Sequence, residues 1–295
     1  MLNRQEHQLE VRGFLQKHFS IRDCTFSLPR GTGAETYVVQ GNEREYFVKV
    51  GAPVERYLAM AEISLTPPVL ASGQLESGSS IMVQPLITGR RPSQGDYWDQ
   101  LENVAVIVRE MHHHPRVKET LPPASSNLHK DAGLQVLNHI RQRWEFYKPQ
   151  VPKVAEFVDN SLGYLTRLIN LFPGEGLVSS HNDICNMNWL FASDGKIYVI
   201  DLDSMSMDDP AFDMGALLWW YYPPELRQQF LDIAGYRYDD EFKFRMQVRM
   251  AMHCLNIILP REQSFDDFDP NDFSESLDDF RAALEGKENP QGYNN

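Results

Sequence analysis

His181, Asp183 and Asn188 stand in a polar loop, H-N-D-I-C-N-M-N, that runs into the apolar W-L-F. The turn Ser193-Asp194-Gly195 and a second apolar run, Ile197 to Ile200, follow, and that run delivers Asp201 and Asp203 as D-L-D before D-D-P-A-F-D ends on Asp213. A loop leading into a hairpin brings the amide oxygen of Asn188 close to the carboxylate of Asp201. Hard oxygen ligands at few positions suit Mg²⁺ that keeps phosphate oxygens as its other ligands. Asp183 is then left for an acceptor hydroxyl. Taken singly, each of these residues could be a turn former, a helix cap or a solvated loop charge, Asp208 and Asp209 included; their joint spacing is what points to chemistry.

A phosphate site needs a cation, and F-V-K-V supplies one. Lys49 is a charged residue inside an apolar strand, where burying an ammonium group costs free energy unless a partner is provided. Phosphate oxygens and a helix carboxylate would provide it. The helix predicted over 54–65 offers Glu55 and Glu62 on roughly the same face. Gly31 and Gly33, in R-G-T-G-A between two predicted strands, either let the backbone approach phosphates or form a plain hairpin turn.

H-x-D-x-x-x-x-N at 181–188, I-D-x-D at 200–203 and D-P-x-x-D at 209–213 together resemble the motif of the aminoglycoside phosphotransferase and choline kinase family. The likeness spans roughly residues 25 to 220. It implies an α+β, two-lobed, protein-kinase-like fold: a small β-rich N-terminal nucleotide-binding lobe at 1–86 with an opening helix, and a larger, mainly helical lobe at 87–295 carrying the catalytic loop, metal site and acceptor-binding helices. It also implies ATP as donor and Mg²⁺ as cofactor, Asp183 as the group that takes the hydroxyl proton, and Asn188 and Asp201 as metal ligands. Asp203 is either a second-metal ligand or a structural acceptor, and His181 and Asp213 brace the loop by hydrogen bonds. Lys49 becomes the lysine on the α and β phosphates. T-P-P-V-L resembles a family segment at a distance that favours Glu55 as its partner. S-I-M-V-Q-P-L-I-T-G-R resembles the strand and hinge, so backbone groups around Gln84 and Leu86 would hold adenine, Pro85 having no N–H to donate. Asn182 stands where the family usually has glycine. Choline kinases are aromatic after F-D-x-G, and here M-G-A-L-L-W-W-Y-Y follows Asp213. Trp219, Trp220, Tyr221 and Tyr222 either face a substrate cation or pack as core.

The elements that must position these residues are legible from periodicity. A helix is predicted over 4–18, strands over 25–28, 36–40, 46–50, 67–73 and 79–88, and helices over 96–114, 131–148, 152–171, 224–234, 240–258 and 274–285. The helix over 96–114 ends in three consecutive histidines; these point in different directions and suggest a packed His112 with solvated neighbours rather than a metal site. Between 262 and 279 lie eight acidic residues and no basic one, either solvated or a wall that recruits amines.

At 295 residues the chain has room for two lobes and no further domain. A formal net charge of −13 argues against nucleic acid or an anionic membrane surface as partner and favours cationic ligands; with it, the resemblance implies an amine-bearing or cationic alcohol of aminoglycoside, choline or thiamine type. Cys24, Cys185 and Cys254 are odd in number and widely spaced, which suggests neither disulfides nor zinc. The polar start and the lack of a long apolar run predict a cytoplasmic protein with no membrane span. A protein kinase is disfavoured, since D-L-D replaces D-F-G and no A-P-E follows. A catalytically inactive kinase-like binding protein is the alternative to a small-molecule kinase.

Overall fold

Alternating apolar residues in T-Y-V-V-Q-G and R-E-Y-F-V-K-V give a sheet one buried face: Tyr37, Val39, Val48 and Val50 are all buried. In the computed structural model, which describes residues 4–28, 35–41, 43–261, 263–266 and 268–293, these become strands of a five-stranded antiparallel sheet. With elements numbered in chain order, β1 (Thr25–Ser27), β2 (Thr36–Gly41), β3 (Arg44–Val50), β5 (Ser80–Pro85) and β4 (Ala71–Gln74) lie side by side in that sequence. Helix α1 (Arg4–Phe19) adds Val11, Phe14 and Leu15 to the core that Ile81 and Val83 complete. Helix α2 (Val54–Glu62) follows β3, and β6 (Gly89–Arg90) pairs with β8 (Trp189–Ala192), which pairs with β9 (Ile197–Val199).

That last pairing decides how the chain divides. It forms two compact units, Met1–Arg91 with Met187–Ser204 and Pro92–Asn186 with Met205–Asn295. The division expected at residue 86 follows chain order, whereas β6 draws the later hairpin, and with it Asn188, Asp201 and Asp203, into the first unit. Gly89 permits the contact: a Cβ there would lie 2.6 Å from the Phe191 carbonyl oxygen.

In the second unit α3 (Gln94–Asp99), α4 (Leu101–His113), α5 (Pro115–Glu119), α6 (His129–Tyr147) and α7 (Pro152–Ile169) precede β7 (Val178–Ser180). Strand β10 (Ser206–Asp208) pairs antiparallel with β7, and α8 (Ala211–Tyr221), α9 (Pro224–Ala234), α10 (Asp240–Ile258), α11 (Pro270–Glu275) and α12 (Leu277–Leu284) complete it. Helices α8 and α10 approach closely because residue 215 is glycine; a Cβ there would meet the Met246 carbonyl oxygen at 2.8 Å. The charges of D-D-P are not solvated: Asp208 is buried against Arg249 at 2.6 Å and Asp209 against Arg245 at 2.5 Å.

Three predicted elements differ in extent. The strand expected over 67–73 begins only at Ala71, behind two prolines that cannot donate to a ladder. The helix over 96–114 breaks at Gln100, and that over 274–285 at Ser276. Among the described residues no helix is long and apolar enough to cross a membrane.

Candidate active site

The phosphate half lies wholly in the first unit. Strand alternation puts Lys49 on the opposite face from Val48 and Val50, and its ammonium group meets Asp201 Oδ1 at 2.9 Å and Asp203 Oδ2 at 2.7 Å. Burial pulls the Lys49 pKa down, but Tyr57 and the two carboxylates outweigh it and hold it above the ordinary lysine value. The D-L-D segment is itself fixed by α2. Arg56, buried, donates to the carbonyls of Leu202 at 2.5 Å and Asp203 at 3.0 Å. The Tyr57 hydroxyl accepts the Leu202 N–H at 3.1 Å and lies 3.4 Å from the Lys49 ammonium. Burial pushes the Tyr57 phenol up to about 12, Lys49 opposing and Asp203 reinforcing, so it stays a neutral hydroxyl.

The hairpin sets the remaining ligand. Trp189 pairs with Val199, and the Ile200 N–H donates to the Asn188 carbonyl at 2.9 Å, so Asn188 and Asp201 both emerge at the open end of the β8–β9 ladder. Asp201 holds φ +58°, in the left-handed region that non-glycine residues occupy sparingly and mostly where function requires it. Among the described residues no cluster of three or more His, Cys, Asp or Glu could by itself hold a metal. Two half-exposed carboxylates do fit Mg²⁺ carried on a polyphosphate, since its remaining ligands then come from phosphate and water.

The loop half lies in the second unit. Antiparallel pairing of β7 and β10 sets the start of α8 beneath the loop. There the buried Asp213 carboxylate accepts the His181 N–H at 2.6 Å and the Asn182 N–H at 2.9 Å. His112 Nε2 lies 3.0 Å from the same carboxylate, and its Nδ1 2.6 Å from the Tyr236 hydroxyl. Burial acts to raise the Asp213 pKa, but His112 and His181 prevail and hold it below the usual carboxylate value. His113 is exposed and His114 half-buried, which leaves His112 as the packed member of the three. Asn182 adopts φ +62°, the conformation that explains glycine at this position in the resembling motif, and Asn tolerates it better than most. Its side-chain amide donates to the Ser206 hydroxyl at 2.7 Å.

Asp183 follows Asn182, and its Oδ2 meets Arg261 Nη2 at 3.0 Å. The Tyr221 hydroxyl accepts the Asn186 N–H at 2.8 Å, which pins the middle of the loop. Sequence pattern does not single out Arg261, and it brings in Tyr221 only as a member of the aromatic cluster. Arg261 follows α10 in a stretch whose composition is otherwise acidic, and Tyr221 is one of four adjacent aromatics.

Several expected site residues stand elsewhere. Glu55 is exposed on α2 and is not what Lys49 meets; α2 acts through its next two residues instead. Gln84 is buried with its amide on the Pro67 carbonyl at 2.5 Å, and the Leu86 N–H already donates to the Glu45 carbonyl at 3.0 Å. The adenine contact is expected from backbone groups of this segment, of which the Leu86 N–H is taken up by Glu45. Tyr222 is fully buried with its hydroxyl on the Tyr97 carbonyl, and Trp219 donates to the Lys287 carbonyl, so both are packing residues; Trp220 is half-buried edge-on to Trp219. Gly31 and Gly33 lie outside the described residues. Of the acidic stretch, Asp269 caps α11, Asp278 pairs with Arg281 and Asp279 accepts from Gln291.

Residues 27–246 match the model of the phosphotransferase enzyme family. Among solved structures, the fold is similar to a choline/ethanolamine kinase family protein from Mesorhizobium loti, with TM-score 0.67 and 16% identity over 97% of this chain and 96% of that one. The choline kinase LicA from Streptococcus pneumoniae gives TM-score 0.64 and 17% identity over 95% of this chain and 98% of that one. The AMP-bound spectinomycin phosphotransferase APH(9)-Ia gives 0.62 and 12% over 94% and 97%.

Proposed function

Since the chain belongs to the phosphotransferase enzyme family and is a small-molecule kinase of protein-kinase-like fold, we propose that it transfers the γ-phosphoryl group of ATP to the hydroxyl of a small molecule. The observation that carries this reading is the ammonium group of Lys49 held between the carboxylates of Asp201 and Asp203 at 2.9 and 2.7 Å, a cation and hard anions assembled on three residues.

Lys49 binds oxygens of the α and β phosphates, and Asn188, Asp201 and Asp203 would hold the nucleotide's Mg²⁺. That ion, when bound, neutralises charge on the phosphates. Arg56 and Tyr57 keep the D-L-D segment in place, and Asp213 with His112 keeps His181 and Asn182 in place so that Asp183 projects from a rigid loop. Asp183 orients the acceptor hydroxyl and takes its proton as the new O–P bond forms and the bond from the γ-phosphorus to the bridging oxygen breaks, leaving ADP. Adenine is held by backbone groups of the segment around Gln84 to Leu86 other than the Leu86 N–H, which Glu45 takes up. Support for an amine-bearing acceptor rests on net charge, because Trp219 and Tyr222 are packing residues.

The test is ATP consumption by the purified protein with Mg²⁺ and a panel of small alcohols, beside the variant Asp183→Asn. Turnover that depends on an alcohol and falls by at least about 10³-fold in the variant is the expected result. Turnover retained by Asp183→Asn would remove the proposed base, and the absence of any turnover would favour a nucleotide-binding protein of the same fold.

A further inference from the structure

Helix α10 ends at Ile258, and the chain from Leu259 onward is fastened to α6 on both sides of Arg261. Before it, Arg143 donates to the carbonyls of Leu259 at 2.9 Å and Asn256 at 3.3 Å. After it, the Tyr147 hydroxyl donates to the Ser264 carbonyl at 2.9 Å, and Phe265 stacks on Phe146 with ring centroids 4.6 Å apart. The backbone around Arg261 is therefore held at two points, yet its side chain is 76% exposed and reaches Asp183 at 3.0 Å. An ion pair with so exposed a member contributes little to stability. It is better explained by what the guanidinium can do at Asp183.

Arg143 is buried, and its bonds run to the oxygens of Leu259 and Asn256 rather than to a carboxylate. Burial lowers its pKa and Arg261 lowers it further, so the two guanidinium groups feel each other. Of the acidic residues that follow, Asp269 serves as the cap of α11, and Asp278 and Asp279 interact with Arg281 and Gln291. A quaternary ammonium or amine brought to Asp183 must displace one guanidinium and sit near a second, which like-charge repulsion opposes. A carboxylate or phosphate monoester meets the opposite situation. Arg261 has five N–H donors in a planar fork suited to two-point recognition of such groups, and exchanging Asp183 for a ligand anion costs it little.

We propose that Arg261 determines acceptor specificity: the alcohol phosphorylated here carries an anionic group close to its reacting hydroxyl, and Arg261 moves from Asp183 to that group as the acceptor binds. The proposal rests on the phosphotransferase reading for the role of Asp183, and it reverses the cationic acceptor that net charge suggests.

Two measurements decide it. In the first, ATP consumption with Mg²⁺ is followed for anionic alcohols (glycerate, malate, glycerol 3-phosphate), glycerol, and cationic alcohols (choline, ethanolamine), with wild type, Arg261→Ala and Arg261→Lys. The expected result is preference for an anionic member, with the KM ratio between glycerol and that member narrowed about tenfold in Arg261→Ala and less in Arg261→Lys. Preference for choline or ethanolamine, or an unchanged ratio in Arg261→Ala, overturns the proposal. In the second, binding of the same compounds is measured by calorimetry without turnover. Asp183→Asn, which removes the competing carboxylate, should tighten anionic binding several-fold, and Arg261→Ala should abolish the gain. Anion binding that ignores both substitutions overturns the role of Arg261 whether or not phosphotransfer is seen; absent transfer with Arg261-dependent binding would instead sink the phosphotransferase reading and leave anion recognition standing.

Discussion

Tyr57 ties together three parts of the phosphate half. Its hydroxyl accepts the Leu202 N–H, approaches the Lys49 ammonium at 3.4 Å and lies 3.5 Å from Asp203 Oδ1. Because burial keeps it a neutral phenol, it acts through hydrogen bonds rather than charge. Tyr57→Phe strips a buried N–H of its acceptor, a change that costs roughly 1–3 kcal/mol. Urea unfolding should show that loss, and the KM for ATP should rise more than the acceptor KM; a variant as stable as wild type would mean Leu202 finds another acceptor. The same scale shows how far residue types could be read. Lys49, Asp201, Asp203, Asp213 and His181 are all legible by spacing, whereas the expectation of a helix carboxylate leads to Glu55 or Glu62 and passes over Arg56 and Tyr57. A carboxylate was sought as partner for Lys49, and D-L-D already provides two.

At the scale of elements, α10 links the loop half to the buried charges of D-D-P. It carries Arg245 and Arg249 for Asp209 and Asp208, and His253 within electrostatic reach of Asp183 and Asp213. Burial lowers the His253 pKa from 6.5 to about 4, with the two aspartates acting upward and Arg249 downward. Between those values the unfolded chain binds a proton that the folded one does not, so stability rises with pH across that window. The contribution is complete above about pH 6.5 and declines toward pH 4, by on the order of 3 kcal/mol in all. His253→Asn should flatten this part of the stability profile measured by urea midpoints; an undiminished slope would assign the acid loss to other groups. Element types and most boundaries followed from periodicity, since α9 and α10 occupy the predicted spans. The breaks at Gln100 and Ser276 did not, because both interrupt runs whose apolar pattern continues across them.

For the whole molecule, the residues proposed to hold the nucleotide, Lys49, Asn188, Asp201 and Asp203, belong to one compact unit and Asp183 to the other. Mg·ATP should therefore stabilise the protein without needing Asp183: at a ligand concentration of 100 Kd the gain is about 2.7 kcal/mol. A melting temperature raised by Mg·ATP in wild type and in Asp183→Asn, but not in Lys49→Ala, is the expected pattern. A rise that persists in Lys49→Ala would remove that lysine from the phosphate site.

The sequence by itself determined the alternating sheet, the hairpin and the set of catalytic-loop residues, because those depend on neighbours a few positions apart whose spacing the chain's own geometry fixes. Only the tertiary structure decided that Lys49 meets Asp201 across 152 residues, that Arg261 meets Asp183 across 78, and that Tyr221 rather than Tyr222 turns toward the loop. Successive residues at a helix end point about 100° apart, and in W-W-Y-Y every position is aromatic. Hydrophobic pattern cannot then choose between them; the packing of α8 against its neighbours does.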